Sequence, residues 1–241
     1  MYWDEDLGAA RFVVSERSGG VSASPFDGLD LALHVGDDPL AVQANRERFA
    51  SYLGLAPDHV VYAEQVHGSV VVQVDEPVDG PPPRCDALVT RTPGLALTIL
   101  VADCVPVLLA DPAAGVVGVA HAGRKGMASG VAARLAAAMR DLGARAISAR
   151  LGPSVCPRCY PVPIELREQV ASAYPESRSL DWHAQPAIDV AAGVLAQLAP
   201  LCSDLRQLPG CTVEDTRFFS YRRDGATGRF AGVALLRERA A

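Results

Sequence analysis

Residues 95–123 read LALTILVADCVPVLLADPAAGVVGVAHAG, and this stretch decides the fold. Its three apolar runs, 95–102, 105–110 and 116–120, are rich in β-branched residues, which is typical of strands buried on both faces. Asp103 interrupts the longest apolar segment, which is too short to cross a bilayer. We therefore predict three buried strands, with Cys104 between the first two and His121 at the end of the third.

Strands and helices alternate on both sides of this stretch. We predict further strands at 11–15, 60–62, 70–74 and 147–151, and a terminal hairpin of 218–221 with 232–236, joined through Asp224, Gly225 and Gly228. Helices are predicted at 40–53, where Asp38 offers an N-cap and Pro39 the first helical position, and at 126–142, 163–174 and 186–198. The interleaving indicates sheets covered by helices in a single domain, residues 1–241.

Composition narrows the possible functions. About half of the 241 residues are apolar, so a large core can form without disulfides. The net charge of -6 argues against non-specific nucleic-acid binding, which depends on clustered Lys and Arg. Residues 1–6, MYWDED, lack the basic start and apolar run of a secretory signal, so we predict a cytoplasmic protein that binds neither nucleic acid nor membrane.

His67, Cys104 and His121 carry the chemistry that the sequence predicts. Each lies at a predicted strand end or in the loop after it, where α/β proteins place reactive groups. Two imidazoles and one thiolate suit zinc, and three protein ligands with an open fourth position are typical of a catalytic zinc site. The same set binds copper. The alternative is that each residue is a separate structural side chain.

Residues 120–126, AHAGRKG, form a second candidate site where a strand runs into a helix. Gly123 and Gly126 allow close approach of a ligand to the backbone, and Arg124 and Lys125 add positive charge. The segment therefore predicts an anion cradle, most simply for phosphate. An ordinary strand-to-helix turn is the alternative.

Six cysteines are present, and two of them form the motif Cys156-Pro157-Arg158-Cys159. With Cys202 and Cys211 this motif could complete a four-sulfur zinc site. Buried free thiols are the alternative, since a lone pair of cysteines at this spacing is a weak signal.

Several motifs in a fixed order resemble the YfiH/YlmD-type family. The matching segments are EQVHG at 64–68, CDALVT at 85–90, ADCVP at 102–106 and AHAG at 120–123. Further matches span nearly the whole chain: GGVS at 19–22, LALHVGDD at 31–38, NR at 45–46, CT at 211–212, FFSYRRD at 218–224 and GR at 228–229. The family was formerly labelled polyphenol oxidase or laccase, is now regarded as purine nucleoside phosphorylases, and includes peptidoglycan-editing factors and FAMIN.

The resemblance implies an α+β fold, a mixed α/β sandwich shared with the cytotoxic necrotizing factor catalytic domain. It implies that His67, Cys104 and His121 are zinc ligands and catalytic residues. It also implies phosphorolysis of purine nucleosides, including methylthioadenosine, and deamination of adenosine, with a nucleoside and phosphate as partners. Where the family usually has Trp-Arg after His-Ala-Gly, this chain has Arg124-Lys125.

Four residues are predicted to bind substrate or phosphate: Arg46, Gly123, Lys125 and Arg222. Gly123 and Lys125 belong to the predicted cradle. The two arginines are candidate anion ligands, and the alternative for each is a surface or structural role. These assignments are predictions from residue type and motif position.

Two other enzyme classes remain open. In a cysteine- or zinc-dependent amidase acting on peptidoglycan precursors, Cys104 would be the nucleophile and His121 its base. A single-copper polyphenol oxidase is the other reading. A multicopper oxidase needs paired His-X-His motifs, and the five histidines, at 34, 59, 67, 121 and 183, contain no such pair.

Overall fold

The computed structural model describes residues 1–238, so the last three residues of the predicted domain, 239–241, lie outside the described residues. The strands are β1 (Trp3–Asp6), β2 (Ala10–Val14), β3 (Val60–Tyr62), β4 (Val71–Gln73), β5 (Ala87–Thr90), β6 (Ala96–Val101), β7 (Val105–Asp111), β8 (Val116–Ala122), β9 (Ser148–Leu151), β10 (Arg178–Leu180), β11 (Pro186–Ile188), β12 (Asp204–Gln207) and β13 (Phe230–Leu236). The α-helices are α1 (Pro39–Leu53), α2 (Arg124–Ala128), α3 (Val131–Asp141), α4 (Ile164–Ala173), α5 (Val190–Leu198) and α6 (Tyr221–Asp224).

Two mixed sheets carry the architecture. One has the order β1-β2-β13-β6-β3 and the other β12-β9-β7-β8-β5-β4, while β10 and β11 form a separate ribbon. Strands β7 and β8 are antiparallel neighbours, with Pro106 opposite His121. The three apolar runs of residues 95–123 are strands, as predicted, and they are divided between the sheets: β6 lies in the first, β7 and β8 in the second.

Side chains that alternate along these strands enter different cores. From β6, Leu97 and Ile99 join a core between the sheets, whereas Leu100 joins a core that contains Phe49 of α1. From β8, Val119 enters the core between the sheets, and its other face packs with α3 and α5. The layers run α1, first sheet, second sheet, helices. This confirms the predicted mixed α/β sandwich and explains why β6, β7 and β8 are apolar at all but one position each.

Helix α1 begins and ends as its sequence predicts. The Asp38 side chain accepts a hydrogen bond from the Leu40 backbone N–H at 3.0 Å, and Pro39 occupies the first turn. Gly54 ends the helix with φ of 78°, in the left-handed region that glycine adopts without steric cost.

Two predicted helices differ from the structure. The helix predicted at 126–142 is two helices, because Gly130 adopts φ of 74° between α2 and α3. Residues 186–198 form β11 and then α5, whose first turn is capped by Asp189 through a 2.9 Å bond from the Ala192 N–H. Helix α2 begins at Arg124, two residues before the predicted start.

The predicted terminal hairpin is wrong. Residues 218–220 lie in a loop, and Ser220 caps α6 by accepting a hydrogen bond from the Arg223 N–H at 3.2 Å. The apolar pair Phe218 and Phe219 is buried from this loop rather than from a strand. Strand β13 pairs with β2 and β6 instead.

Within residues 1–238, every helix falls short of the length and apolarity that crossing a membrane would require.

Candidate metal centre and the adjoining cavity

The side chains of His67, Cys104 and His121 converge, as predicted. Their candidate ligand atoms all lie within 4.8 Å of one another. Cys104 Sγ is 3.9 Å from His67 Nε2, and the two imidazole rings meet edge to face with centroids 4.7 Å apart. His67 comes from the loop between β3 and β4, Cys104 from the turn between β6 and β7, and His121 from within β8 rather than after its end.

Asp86 holds two of these three residues in place. Its fully buried carboxylate accepts His121 Nδ1–H at 2.8 Å and the backbone N–H of His67 at 2.9 Å. It also accepts the N–H groups of Val66 at 3.2 Å and Gly68 at 2.6 Å. Since His121 donates Nδ1–H to Asp86, Nε2 is the nitrogen that can bind a metal ion once its proton is lost.

The local electrostatics favour a thiolate beside an imidazolium. Burial raises the pKa of Cys104, but the charge of His121 and hydrogen bonds from both imidazoles outweigh it and lower that pKa to about 6. Burial lowers the pKa of His121, but the Cys104 thiolate and Asp86 outweigh it and raise that pKa to about 9. Thiolate is the form in which cysteine binds metals or acts as a nucleophile.

A second carboxylate fixes the turn that carries Cys104. Asp103 has φ of 95°, a conformation that non-glycine residues rarely adopt. Its Oδ1 accepts hydrogen bonds from the hydroxyls of Thr212 and Ser220, each at 2.6 Å, and its Oδ2 accepts the Arg222 backbone N–H at 2.7 Å. These bonds offset the backbone strain and tie the turn to the segment after β12.

Gly123 lies directly against the three converging side chains. A Cβ built at this position would lie 2.9 Å from Cys104 Sγ and 3.0 Å from His67 Cδ2. Only glycine therefore leaves room for the donors to keep their positions and for an ion between them.

The residues present fit a metal ion. Two imidazoles and a thiol of low pKa form a borderline-soft set of metal ligands. A carboxylate orients one of the imidazoles, and Gly123 leaves space beside the donors. Among residues 1–238, His34, His59 and His183 belong to neither of the two groups of side chains that could hold a metal. A trinuclear copper cluster therefore has no histidines available to it here.

A cavity of about 720 Å³ opens directly from this centre. Its walls combine the three donors with cationic groups and aromatic rings. The lining residues that supply those groups are His34, Arg124, Arg222, Arg229, Tyr160 and Tyr221. The Arg222 guanidinium stacks on the Tyr160 ring, 4.4 Å from its centroid. Such a cavity has room and charge for an anionic group beside a flat ring.

The structure brings only some of the predicted substrate residues to this cavity. Gly123 and Arg222 line it. Lys125 is exposed and is not among the lining residues, whereas its neighbour Arg124 is. Arg46 lies in an adjoining cavity, where its Nε donates to the Leu31 carbonyl at 2.9 Å. The Arg46 guanidinium also covers the Tyr62 ring, 3.8 Å from its centroid.

Sequence reasoning did not assign roles to Asp86, Asp103, His34 or Arg229. Asp86 and Asp103 stand inside the quoted motifs next to predicted ligands or strands, and a buried acid at such a position is a signal for a supporting carboxylate. Arg229 is half-buried, with Nη1 donating to the carbonyls of Thr227 at 2.7 Å and Gly228 at 2.9 Å. Desolvation and the nearby Arg229 and Arg46 lower the pKa of His34.

The predicted four-cysteine site is wrong in one member. Cys156, Cys159 and Cys211 do converge, but the fourth candidate ligand is Glu214. Cys202 instead packs at the edge of the core beneath α3 and α5. All six cysteines, which lie within the described part of the chain, are free thiols.

Known proteins resemble this chain over nearly its whole length. The family model described as multi-copper polyphenol oxidoreductase laccase matches residues 11–237. Purine nucleoside phosphorylase ORF3 of Streptomyces griseus is 53% identical, over 95% of this chain and 95% of that protein. The structure of YlmD from Geobacillus stearothermophilus matches with a TM-score of 0.88 and 32% identity, over 95% and 93% of the two chains. YfiH from Bacillus licheniformis matches with a TM-score of 0.85 and 29% identity, over the same shares.

Proposed function

This chain belongs to the family described as multi-copper polyphenol oxidoreductase laccase, the YfiH/YlmD-type family that its motifs predicted, and we propose that it acts as a zinc-dependent purine nucleoside phosphorylase. The name of the Streptomyces griseus relative supports this proposal, because the two chains are alike over nearly their whole length. Zinc is proposed from the donor set, two imidazoles and one thiol.

One observation carries the proposal. The three converging donors line a cavity whose walls also hold arginines and tyrosine rings. A phosphorylase must hold a phosphate dianion beside a largely uncharged nucleoside. Arginine is suited to the first task and aromatic rings to the second.

Phosphorolysis requires few groups. A phosphate oxygen forms a bond to ribose C1′ while the bond from C1′ to the purine nitrogen breaks, and its electron pair leaves with the base, which takes up a proton. A bound zinc ion would supply Lewis acidity and a fixed positive charge. We propose that Arg222 and Arg124, with the Gly123 backbone, hold the phosphate, and that Tyr160 orders Arg222 by stacking.

The decisive assay is nucleoside cleavage with and without phosphate. Inosine or adenosine is incubated with the zinc-loaded protein, and free base and ribose 1-phosphate are separated by chromatography. We expect base release only with phosphate or arsenate. Equal release in their absence would show a hydrolase instead, and no release from any nucleoside would refute the proposal.

Four variants sharpen this assay. Arg222→Ala should raise the KM for phosphate by roughly tenfold or more, since a charged hydrogen bond contributes about 1.5–3 kcal/mol. Arg217→Ala is the matched control, because Arg217 is an exposed arginine paired with Asp215 and does not line the cavity. Lys125→Ala, compared with Arg124→Ala, tests which residue of the predicted cradle contacts phosphate. The cavity favours Arg124.

The proposal extends to methylthioadenosine phosphorolysis and adenosine deamination. In deamination, a water oxygen forms a bond to C6 of adenine and ammonia leaves, so phosphate takes no part. Arg222→Ala should therefore impair phosphorolysis more than deamination. With adenosine as substrate, adenine reports phosphorolysis, whereas inosine and the hypoxanthine formed from it report deamination. Equal losses of both activities would remove Arg222 from phosphate binding.

A second candidate function rests on the close approach of Cys104 and His121, whose sulfur and ring nitrogen lie within 4.8 Å of each other and favour a thiolate–imidazolium pair. Such a pair is the nucleophile and base of cysteine hydrolases, so an amidase acting on peptidoglycan precursors is the alternative. The test is release of an amino acid from such a precursor by protein stripped of metal with a chelator. An amidase that needs no metal would be active in this form, whereas the proposed phosphorylase would not.

A single-copper polyphenol oxidase is the remaining alternative, because the same donors bind copper. Copper-loaded and zinc-loaded protein should be compared for phenol oxidation and for phosphorolysis. We expect phosphorolysis with zinc. Phenol oxidation with copper and no phosphorolysis with either metal would favour the oxidase.

A further inference from the structure

A second group of candidate metal ligands lies outside the proposed catalytic centre. Cys156, Cys159, Cys211 and Glu214 offer three sulfurs and one carboxylate oxygen, all within 4.8 Å of one another. Glu214 Oε1 is 3.4 Å from Cys159 Sγ and 3.7 Å from Cys156 Sγ, and the Cys156 N–H points at Cys211 Sγ at 3.4 Å. Segments more than 50 residues apart in the sequence thus bring four metal-binding side chains to one point.

Local backbone structure places the two halves of this group. Residues Pro157–Cys159 form a single 3₁₀ turn that brings Cys156 and Cys159 to one side. Cys211 is held beside this turn by a parallel bridge to Ser154 and by the Thr212 N–H, which donates to the Ser154 carbonyl at 3.1 Å. Glu214 follows one turn later, with its N–H bonded to the Cys211 carbonyl at 3.1 Å.

The chemistry of the group is that of a closed zinc site. Three thiolates and a carboxylate provide four protein ligands, which leaves no position for water or substrate, as in structural sites. Without an ion, the burial and mutual proximity of the thiols raise the pKa values of Cys156 and Cys159, so the group is poorly suited to nucleophilic chemistry. Arg158 Nη2 lies 3.9 Å from Glu214 Oε2 and offsets part of the negative charge that four such ligands would carry.

We propose that Cys156, Cys159, Cys211 and Glu214 bind a second, structural zinc ion, which joins the 3₁₀ turn beside the cavity to the segment 211–214. Val155 and Tyr160, on either side of the 3₁₀ turn, line that cavity. Thr212, next to Cys211, donates its hydroxyl to Asp103, the residue before Cys104. The second ion therefore holds in register the loops that position Tyr160 and the Cys104 turn.

Metal content tests this proposal without reference to nucleoside chemistry. The full chain is loaded with Zn²⁺ under reducing conditions, gel-filtered and analysed by elemental mass spectrometry. We expect about two zinc ions per chain in the unmodified protein and about one in both His121→Ala and Cys159→Ser, because each variant removes a ligand of a different site. Cys202→Ser is the matched control, a thiol-to-hydroxyl change outside the group, and should keep both ions.

Cobalt substitution distinguishes the two sites spectroscopically. In His121→Ala, Co²⁺ should still give the intense thiolate-to-metal absorption of a three-sulfur site, and this absorption should be lost on the further change Cys159→Ser. Glu214→Gln keeps all three sulfurs. It should retain the absorption with weaker Co²⁺ binding, which covers the case in which Cys159→Ser does not fold.

Two measurements of zinc content would overturn the inference. One is a single zinc ion in the unmodified protein that disappears in His121→Ala. The other is undiminished zinc in Cys159→Ser. A disulfide between Cys156 and Cys159 in reduced, zinc-loaded protein would likewise exclude the site, and peptide mass mapping detects it. Failure of phosphorolysis with two zinc ions still bound would refute the proposed function and leave the second site standing.

Discussion

Substituting Asp86 by asparagine is the sharpest test of how the metal centre is built. Oδ1 of Asp86 accepts from His67 N and His121 Nδ1, and Oδ2 accepts from Val66 N and Gly68 N. Whichever way the amide of Asp86→Asn is turned, its NH₂ group faces two donors and leaves them without an acceptor. The variant keeps the volume of the side chain and removes its charge.

The expected losses are of two kinds. Lost support for a ligating histidine lowers metal affinity by about 10–100-fold, or about 1.4–2.7 kcal/mol. The unpaired buried donors also lower the free energy of unfolding by roughly 3 kcal/mol. Zinc affinity is measured by chelator competition, and stability by urea unfolding of the metal-free protein.

Asp111→Asn is the matched control for this experiment. Asp111 is a buried carboxylate at the far end of β7, and it accepts the N–H groups of Ala114, Arg145 and Ala146 at 3.0, 2.6 and 2.8 Å. The Asp111→Asn variant should lose about as much free energy of unfolding as Asp86→Asn, but it should keep the zinc affinity of the unmodified protein. If Asp86→Asn bound zinc as tightly as the unmodified protein, or if Asp111→Asn weakened zinc equally, the role assigned to Asp86 would be wrong.

Three further predictions concern the same elements. Cys104→Ala should abolish turnover with a melting temperature close to that of the unmodified protein, since the sulfur serves the site rather than the core; full phosphorolysis in this variant would exclude Cys104 as ligand and as nucleophile. Gly123→Ala should weaken zinc binding in the same competition assay, because the added methyl group would lie 2.9 Å from Cys104 Sγ, and unchanged affinity would contradict the close approach. Burial raises the pKa of Asp111, but hydrogen bonds from backbone N–H groups outweigh this effect and leave the pKa below its usual value. The contribution of Asp111 to the free energy of unfolding is therefore present above the unfolded pKa of about 3.9 and is lost as the pH falls. Unfolding free energies at pH 7 and at about pH 3 should therefore fall less steeply for Asp111→Asn than for the unmodified protein, and parallel curves would refute the assignment.

The sequence predicted those parts of the fold that depend on local pattern. The strands around Cys104 and His121 are apolar on both faces because these central strands of a four-layer sandwich are covered on both sides, and that pattern is visible in the residues. The same is true of α1, whose cap residues are adjacent in the chain. Convergence of the three donors was predicted correctly, although their sequence spacing alone did not require it.

Long-range pairing accounts for what the sequence did not predict. Phe218 and Phe219 have the residue types of a strand, yet Ser220 turns the chain into α6, and β13 finds better partners in β2 and β6. Long-range pairing also explains why Glu214, rather than the predicted Cys202, is the fourth candidate ligand of the second group. Cys202 is closer in sequence to the Cys156 motif, but the bridge between Ser154 and Cys211 decides which residues meet it.

The two backbone strains at the centre have a common arrangement. His67, with φ of 59°, and Asp103, with φ of 95°, both lie in the left-handed region at or beside a proposed ligand. Each strained turn is held by a carboxylate: Asp86 accepts the N–H of His67, and the side chain of Asp103 itself accepts two hydroxyls and an N–H from the segment after β12. Conformations that cost about 1–3 kcal/mol each persist only where the surroundings over-determine them. The donors are thus fixed by the protein before any ion or substrate arrives, and the cost of ordering them is met during folding rather than at each turnover.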